Sequence, residues 1–333
     1  MDNSITIVVE WENAEGVGQK AALDFLRRLV DGLLASKTAK SYSLRLLFVF
    51  DENVEEKHLR EDLTSALTSV SGKITLEFLL TPGAPYYAKK GLVAYFVSTQ
   101  FLVYADSDCA YVPGWLDVMI QPLLEGRTDL TFGDTVAATG ETFIEKVSAL
   151  AWFFPTENPN DTLRPKGVNR FFANNFGVRT SALLNCPPPR HAGSRSHGSL
   201  WMNAWDKSGL RREKVLAGIA RHRQFDSFGA LIERAWLFGF DKDVANALTN
   251  SSRLYRCMRA FAAFFELTAK FSRRWLAVGP STLGFWGMLA AYPLGLAFQL
   301  TAVFSQFYHA ALGRRFEMSS DYTDLKSAAR LLT

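Results

Sequence analysis

The sequence predicts an α/β fold with a mostly parallel central sheet flanked by helices, followed by a C-terminal helical membrane segment. Short apolar, β-branched runs alternate with helix-periodic segments in the N-terminal part of the chain, which is the pattern of a parallel sheet. Acidic residues follow two of the predicted strands directly. Near the C-terminus, the chain has a long stretch without Asp, Glu, Lys or Arg.

Composition excludes several classes of protein. The chain has 333 residues, 48% hydrophobic and 21% charged, which fits a globular core with some membrane contact. A net charge of +4 is too small for a dense basic surface, so no nucleic acid partner is expected. The three cysteines, Cys109, Cys186 and Cys257, are far apart, which argues against a disulfide framework or a zinc knuckle and favours a reducing compartment. No basic region followed by an apolar one opens the chain, so no cleavable secretion signal is expected.

Four strands and the helices between them are predicted from hydrophobic periodicity. The runs that predict strands are residues 5–10, 44–50, 74–80 and 101–105. Helical spacing is found in residues 18–36, in the charged segment with Leu59, Leu63 and Leu67, and in residues 87–98. Polar loops are expected at residues 155–167 and 186–199. Because ligands bind at the carboxyl ends of parallel strands, we expect a site among the polar residues found there. These residues are Glu12, Asn13, Asp51, Asp106 and Asp108.

The most specific chemical motif is residues 103–108 (VYADSD), an apolar strand that ends in two carboxylates one residue apart. Asp106 and Asp108 are hard oxygen ligands of the kind that Mg²⁺ or Mn²⁺ prefers. An ion held there can bridge a diphosphate and stabilise its charge as it leaves. An Asp-x-Asp is common in turns, but its position at the end of the fourth predicted strand, followed by residues 113–116 (PGWL), makes the metal interpretation more specific.

On these residues the chain resembles the family 2 glycosyltransferases of the bacterial type with a C-terminal membrane segment, whose fold is the GT-A nucleotide-diphospho-sugar transferase fold. The resemblance runs from about residue 4 to residue 240. Residues 5–13 match the first strand and the loop that contacts the nucleotide; where the family usually has Pro-x-Tyr-Asn, residues 10–13 read EWEN. Residues 174–179 (NNFGVR) resemble the strand that begins the acceptor half of the catalytic domain.

The resemblance implies roles for particular residues. Asp51 matches the acidic residue that contacts the base or ribose, and Lys90 lies in the segment where a basic residue and a glycine precede the Asp-x-Asp strand. His222 resembles the histidine that closes the site, sometimes as a metal ligand. The implied donor contacts are Glu12, Asn13, Asp51, Lys90 and Asp106. The implied ligands of Mn²⁺ or Mg²⁺ are Asp106, Asp108 and His222.

The catalytic base is where the sequence departs from the family. The family usually has a Glu-Asp pair about a dozen residues before the glycine that matches Gly209, but no carboxylate lies between Asp161 and Asp206 here. Counting back leads to His197, and an imidazole can serve as a general base near neutral pH. His197 is therefore the candidate catalytic residue, with His191 and Asp206 as alternatives. His197 as an ordinary loop residue, or a chain that has lost catalysis, also fits this departure.

The stretch from 275 to 312 has no Asp, Glu, Lys or Arg, which exceeds the roughly 20 residues that span a bilayer. It predicts one tilted transmembrane helix or a helical hairpin, with a buried core helix as the alternative. Arginines flank both ends, at 273–274 and 314–315, so the positive-inside rule leaves the orientation undecided. The basic, aromatic segment before it, residues 254–271, fits either a helix on the bilayer surface or a soluble amphipathic helix.

Four segments are therefore expected. They are a catalytic domain (residues 1–240), an amphipathic helical linker (241–274), a hydrophobic membrane-associated helix or hairpin (275–313) and a tail (314–333). The expected activity is that of a metal-dependent glycosyltransferase of the hexosyltransferase type. It would move a sugar, with inversion, from a UDP- or GDP-sugar to a hydroxyl of a glycan or lipid-linked acceptor. The catalytic domain is expected in the cytoplasm, with membrane lipid in contact with the C-terminal part.

Two other functions remain open. A sugar-nucleotide nucleotidyltransferase shares a similar sheet, but such enzymes usually carry a Gly-rich, basic loop after the first strand, whereas residues 10–18 are acidic here. A non-catalytic member that binds a glycan or a partner is favoured by the missing Glu-Asp pair. It is disfavoured by Asp106 and Asp108, because two neighbouring carboxylates repel each other without a cation.

Overall fold

The computed structural model describes residues 4–11, 14, 19–51, 56–68, 74–84, 86–138, 140–152, 154–163, 171–188, 198–249 and 252–313. Several residues singled out from the sequence lie outside this set. They are Glu12, Asn13, His191 and His197, together with the tail at residues 314–333.

Four parallel strands form the N-terminal half of the main sheet, as predicted. They are β1 (Ser4–Glu10), β2 (Ser43–Phe50), β3 (Ile74–Leu80) and β4 (Phe101–Asp106). They lie in the order β3–β2–β1–β4, with β1 parallel to both β2 and β4. Every residue of β1 is buried, which is typical of a strand with both faces of its sheet covered.

The helices that connect these strands are α1 (Gln19–Leu34), α2 (Glu56–Ala66) and α3 (Tyr86–Leu92), the last continued by a 3₁₀ turn at Val93–Tyr95. Successive side chains of β1 enter two apolar clusters. Ile7 packs in a cluster with residues of α1, whereas Val8 packs in another that contains Trp201 and Trp205. Because side chains alternate across a strand, this is the arrangement expected of a sheet with apolar layers on both faces.

Three further strands complete the main sheet: β6 (Leu130–Phe132), β8 (Asn175–Arg179) and β9 (Arg212–Lys214). The strand order is β3–β2–β1–β4–β8–β6–β9. β8 is antiparallel to β4 and to β6, and β9 is parallel to β6. The predicted mostly parallel α/β fold is thus confirmed. The remaining short strands are β5 (Cys109–Tyr111), β7 (Thr135–Ala137) and β10 (Ala220–His222). Helices α4 (Trp115–Leu124), α6 (Thr180–Asn185) and α7 (Gly198–Ser208) lie between the strands in sequence.

The chain divides into two compact units. Among the described residues, the first unit contains those up to Thr135 and those from 171 to Arg221. The second contains those from Val136 to 163 and from His222 to 313. The main sheet belongs to the first unit. The boundaries of the four segments expected from the sequence stay predictions.

The second unit contains three helices, α5 (Phe143–Ala151), α8 (Phe228–Thr249) and α9 (Arg253–Leu312). Thr142 and Glu145 form a capping box at the start of α5. Gly284 interrupts α9 with φ 71° and ψ 166°, a backbone conformation open only to glycine. We call residues 253–283 the first arm of α9 and residues 285–312 its second arm.

The two arms of α9 run antiparallel as a hairpin. Close to the turn, Trp275 Nε1 donates to the carbonyl of Met288 at 3.1 Å. Far from the turn, an Arg256 guanidinium nitrogen donates to the carbonyl of His309 at 3.2 Å. Among the described residues, α9 is the one helix that is long and apolar enough to cross a membrane. In its most apolar stretch, 33% of the residues are buried. Core helices of soluble proteins can have the same length and composition. The exposure of the α9 side chains therefore distinguishes a core helix from one that contacts lipid.

Candidate functional site

The strand order reverses beside β1, which creates a crevice at the carboxyl ends of β1 and β4. The chain passes from β1 to β2 and β3 on one side and then to β4 on the other, so this is the topological switch point of the sheet. Glu10 and Asp106, the last residues of β1 and β4, are register partners there. Ser107 N–H then donates to the carbonyl of Glu10 at 3.2 Å. The topology alone therefore brings Asp106 to the edge where such sheets bind ligands.

The carboxylate of Asp106 is buried and held by two donors. Lys90 Nζ donates to its Oδ1 at 2.9 Å and the Tyr86 hydroxyl donates to its Oδ2 at 3.0 Å. The side chains of Lys90 and Asp106 are only 1% and 3% exposed. Burial raises the pKa of Asp106, and the nearby charge of Asp108 adds to this, whereas Lys90 and Tyr86 oppose it. The net result is a pKa above the usual value, so Asp106 depends on positive charge to stay ionised at this depth.

Lys90 is fixed in turn by aromatic residues. Its ammonium lies 4.5 Å from the centroid of the Tyr86 ring and 5.6 Å from that of Tyr104. The Tyr104 hydroxyl donates to the Lys90 carbonyl at 2.6 Å. Burial raises the pKa of Tyr104 well above its usual value, so this hydroxyl remains a donor at neutral pH. The cation is thereby confined beside Asp106.

The neighbouring residue, Lys89, forms a second ion pair at the end of another strand. Lys89 Nζ lies 3.1 Å from Asp51 Oδ2, and the Gly83 N–H donates to Asp51 Oδ1 at 2.8 Å. The Asp51 side chain is 21% exposed, so it is more open to solvent than Asp106. Sequence reasoning missed Lys89 and Tyr86. The available signal was a pair of adjacent lysines in a helix whose other residues are largely apolar.

Asp108 lies in the turn between β4 and β5 and is only 3% exposed. The Cys109 thiol donates weakly to Asp108 Oδ1 at 3.4 Å, and burial together with the neighbouring carboxylates raises the pKa of Cys109 well above its usual value. Cys109 is therefore a neutral thiol beside Asp108. The turn is fixed further by Tyr111, whose oxygen accepts from the Asp106 N–H at 2.8 Å and whose hydroxyl donates to the Asn174 carbonyl at 3.0 Å.

Two asparagines at the start of β8 tie this turn to the surrounding elements. Asn175 Oδ1 accepts from Trp115 Nε1 at 2.8 Å, and its amide nitrogen donates to the carbonyls of Asp134 and Gly218 at 2.9 and 2.8 Å. Asn174 Oδ1 accepts from the Thr135 hydroxyl at 2.8 Å. These amides have a structural role, because they form hydrogen bonds with buried backbone and side-chain groups that would otherwise lack partners.

Asp106 and Asp108 suit a divalent cation as a pair of hard oxygen ligands. The like charge of Asp108 raises the pKa of Asp106, and this repulsion is what a bound cation relieves. Within the described part of the chain, no three His, Cys, Asp or Glu side chains gather into a metal-binding cluster. Two carboxylates leave coordination positions for water and for phosphate oxygens, which is the usual manner in which proteins bind Mg²⁺.

Of the other predicted site residues, the structure describes His222 and Asp206, whereas Glu12, Asn13, His191 and His197 lie outside the described residues. His222 ends β10, is 8% exposed, and packs against Phe154 with ring centroids 4.7 Å apart. Its Nδ1 lies 2.5 Å from the Arg223 carbonyl oxygen. Asp206, an alternative base, forms an ion pair with Arg212 at 2.9 Å. The roles of His222, Asp206, Glu12, Asn13 and His197 stay predictions.

No protein-family model matches the chain, and no curated protein sequence matches it. Among solved structures, it is similar to a mannosyltransferase from Pyrobaculum calidifontis in complex with GDP-Man and Mn²⁺. The TM-score is 0.48 at 12% identity, over 97% of this chain and 86% of that one.

It is also similar to a glucosyl-3-phosphoglycerate synthase from Mycobacterium tuberculosis in complex with Mn²⁺, UDP-glucose and glycerol 3-phosphate, with a TM-score of 0.41 at 15% identity, over 67% of this chain and 73% of that one. A third likeness, to GalNAc-T7 with UDP, GalNAc and Mn²⁺, has a TM-score of 0.46 at 13% identity, over 77% of this chain and 50% of that one.

Proposed function

We propose that the chain is a glycosyltransferase that moves a sugar from a UDP- or GDP-sugar to a hydroxyl acceptor. The observation that carries this proposal is the position of Asp106 and Asp108 at the switch point of a parallel sheet, with a third carboxylate, Asp51, directly after β2. Such an edge suits a nucleoside diphosphate, because carboxylates accept hydrogen bonds from the nucleoside and hold a cation for the phosphates.

Different residues of the first unit bind different parts of the donor. Asp51, the more exposed carboxylate, accepts hydrogen bonds from the base or ribose, together with Glu12 and Asn13. Lys90, at 2.9 Å from Asp106, opposes the rise in the pKa of Asp106 that burial causes. Asp106 and Asp108 would hold Mn²⁺ or Mg²⁺, which would stabilise negative charge on the departing diphosphate.

The reaction that fits these roles is a direct displacement at the anomeric carbon. The acceptor oxygen forms a bond to that carbon as the bond to the nucleoside diphosphate breaks, and a base takes the proton of the acceptor hydroxyl. His197 is the proposed base, with His191 and Asp206 as alternatives. Inversion follows from the resemblance to the family 2 glycosyltransferases, as does the assignment to that family.

The acceptor and the location are also part of the proposal. The supply of nucleotide sugars in the cytoplasm favours a catalytic domain on that side of the membrane. The long apolar helix α9 favours contact with membrane lipid and an acceptor close to the membrane, either a glycan or a lipid-linked one.

A donor-turnover assay tests the proposal. The full chain, in membranes, is supplied with UDP- and GDP-sugars in the presence of Mn²⁺, Mg²⁺ or a chelator. We expect turnover that requires the ion and falls about 100-fold or more in Asp108→Asn, because charge on the leaving diphosphate is no longer compensated. His197→Ala lowers kcat if His197 is the base. Asp117→Asn is the matched control, because this carboxylate accepts hydrogen bonds from Thr38 on another part of the unit.

The other outcomes separate the alternatives. Metal-dependent donor binding without turnover of any donor would indicate a non-catalytic binding protein. Release of pyrophosphate from a nucleoside triphosphate and a sugar phosphate would indicate a nucleotidyltransferase. Absence of donor binding in every condition would overturn the proposal.

A further inference from the structure

Exposed apolar side chains are concentrated on α9. Of the nineteen large hydrophobic side chains that the described residues expose, thirteen belong to this helix. On the first arm they are Leu254, Met258, Phe261, Phe265 and Leu276. On the second arm they are Phe285, Trp286, Leu289, Leu300, Phe304, Phe307, Tyr308 and Leu312. Monomeric soluble proteins rarely expose apolar area of this extent, so the hairpin has a large surface that suits an apolar environment.

These side chains follow both arms from end to end. Leu254, Met258, Phe261 and Phe265 recur at intervals of three and four residues, which places them on one face of the first arm. On the second arm, the exposed side chains extend from Phe285 beside the turn to Leu312 at the last residue of the helix. At about 1.5 Å per residue, the first arm is about 46 Å long and the second about 42 Å. The apolar surface is therefore a long side of the hairpin and not only its turn.

The opposite side of the hairpin is packed within the second unit. Gly239 of α8 lies against the backbone of Ala302, and the Ser305 hydroxyl donates to the Trp236 carbonyl at 2.6 Å. Gln299 donates to the carbonyl of Ala151 at 3.0 Å. α8 and α5 thus cover one side of α9 and leave the other to its surroundings.

Charged side chains are exposed along the first arm, and most of them are basic. Arg253, Arg259, Lys270 and Arg273 are exposed, against a single exposed acid, Glu266. Lys270 and Glu266 lie 3.9 Å apart with side chains 60% and 52% exposed. The two other arginines of the arm are buried in ion pairs, Arg256 with Asp243 and Arg274 with Asp161. The exposed part of the arm therefore has a net positive charge.

These charges are incompatible with a hairpin that crosses the bilayer. The first arm packs along the second, as shown by Ser272 and Tyr292, whose hydroxyl oxygens are 2.8 Å apart. If the second arm spanned the hydrocarbon, Glu266, Lys270 and Arg273 would enter it as well, at about 2.5–3.5 kcal/mol for each central charge. Polar groups also lie beside the turn, because Asn158 donates to the Ser281 hydroxyl at 2.8 Å and the adjacent Glu157 is exposed.

We infer that the α9 hairpin lies flat in the interface of an anionic bilayer leaflet and does not cross it. Its apolar side chains enter the boundary between headgroups and acyl chains, where Trp286 and the phenylalanines are favoured. Its exposed basic residues reach the lipid phosphates while their aliphatic stems stay with the apolar surface. This surface does not depend on the proposed sugar transfer, because lipid binding is measured without donor or acceptor.

Flotation of the full chain with preformed vesicles tests whether the hairpin binds an anionic lipid surface. We expect strong binding to vesicles of equal parts phosphatidylglycerol and phosphatidylcholine, and weaker binding to phosphatidylcholine alone. The triple variant Arg259→Gln/Lys270→Gln/Arg273→Gln should lose about 100-fold in affinity for the anionic vesicles, because each basic residue near the surface contributes about fivefold. Failure of the full chain to float with either vesicle would overturn the inference, and self-association or binding of a protein would then account for the apolar surface.

Paired apolar variants test the flat orientation. Phe261→Ser/Phe265→Ser on the first arm and Trp286→Ser/Leu289→Ser near the turn should weaken vesicle binding to a similar extent. Insertion by the turn alone would make only the second pair defective. Leu216→Ser is the matched control, since Leu216 is 75% exposed but belongs to the other unit. Circular dichroism of each variant separates a loss of binding from a loss of folding.

Cysteine labelling tests whether the hairpin crosses. Cys257→Ser removes the partly exposed native thiol, and Ser281→Cys places a new thiol beside the turn. In protein bound to preformed vesicles, we expect a membrane-impermeant maleimide to label this thiol from outside, with no gain after permeabilisation. Labelling that appears only after the vesicles are permeabilised would show that the turn reaches the lumen, and the inference would be wrong.

Discussion

Lys90 and Asp106 form a buried ion pair at the topological switch point of the sheet, with Nζ 2.9 Å from Oδ1. The preceding residue, Lys89, pairs with Asp51 at 3.1 Å. One short helix, α3, therefore supplies a cation to the carboxyl ends of two different strands, β4 and β2. The pairs differ in exposure, since Asp106 is almost fully enclosed and Asp51 is not. Asp106 is therefore the more enclosed of the two carboxylates, and Asp51 is the more accessible to solvent.

Lys90→Met should reduce the free energy of unfolding by about 3–5 kcal/mol, because it leaves a buried carboxylate without its compensating charge. Urea unfolding of the full chain in detergent measures the change. Arg45→Met is the control: Arg45 pairs with Glu77 at 3.0 Å, but both side chains are about a third exposed, so the loss should stay below about 1 kcal/mol. The double variant Lys90→Met/Asp106→Asn should recover part of the stability. Equal losses of stability in Lys90→Met and Arg45→Met would contradict the importance of burial.

Asp51→Asn should raise KM for the nucleotide-sugar about tenfold and change kcat by no more than about twofold. The amide loses the negative charge but keeps an acceptor oxygen, so binding of the nucleoside weakens equally in the ground and transition states. Steady-state kinetics with varied donor measures both constants. Asp117→Asn serves as the control. A fall in kcat with unchanged KM would place Asp51 in the chemical step instead.

Arg274→Met should destabilise the second unit by about 3–5 kcal/mol. The Arg274 guanidinium, almost fully buried, bonds the Asp161 carboxylate and four backbone carbonyls, those of Ala149, Leu150, Trp152 and Phe154. Arg274→Lys should also destabilise, because an ammonium has fewer donors and cannot reproduce the planar arrangement. Thermal unfolding by circular dichroism measures the effect. Arg273 is adjacent but exposed, so Arg273→Met should cost no more than about 0.5 kcal/mol. A similar cost for Arg273→Met and Arg274→Met would contradict this account.

Asp161 should make the stability of the second unit decrease at acidic pH. Burial raises the pKa of Asp161, but the charge and hydrogen bonds of Arg274, together with the backbone N–H groups of Thr156 and Leu163, outweigh burial and hold the pKa below its usual value. The stability that Asp161 contributes is therefore complete above the unfolded pKa of about 4 and is lost as pH falls through the lower folded pKa. Urea unfolding across this range should show that wild type and Asp161→Asn converge as pH falls. A constant difference between them would refute the prediction.

Gly284→Ala should destabilise the α9 hairpin by about 1–3 kcal/mol, since φ 71° with ψ 166° is a conformation that alanine adopts only under strain. Nothing lies within 4 Å of the added Cβ, so the cost is one of backbone conformation and not of crowding. Gly287→Ala, three residues on and within the second arm, should be neutral or stabilising, because alanine is the better helix former. The melting temperatures of the two variants measure the contrast, and equal melting temperatures would contradict it.

The strands of the first unit could be predicted from the sequence because they are short apolar runs that end at polar residues. Residues 5–10, 44–50, 74–80 and 101–105 were each expected as strands, and each is found within one residue at either end. The helix expected at 87–98 is shorter, ending at Leu92 before a 3₁₀ turn, since periodicity does not show where hydrogen bonding changes. Lys89 was missed because a lysine in sequence reads as a surface residue until a partner is known.

By itself, the sequence determined the α/β class, the carboxylates at the strand ends, and an apolar C-terminal helix. These follow from local patterns: period-two and period-3.6 hydrophobicity, and polar residues where strands stop. Tertiary structure alone decided that Lys90 compensates Asp106, that Arg274 is buried on Asp161, and that α9 turns back at Gly284. Each of these joins groups far apart in the chain or depends on one backbone angle, so its energy arises from burial and geometry that no local pattern encodes.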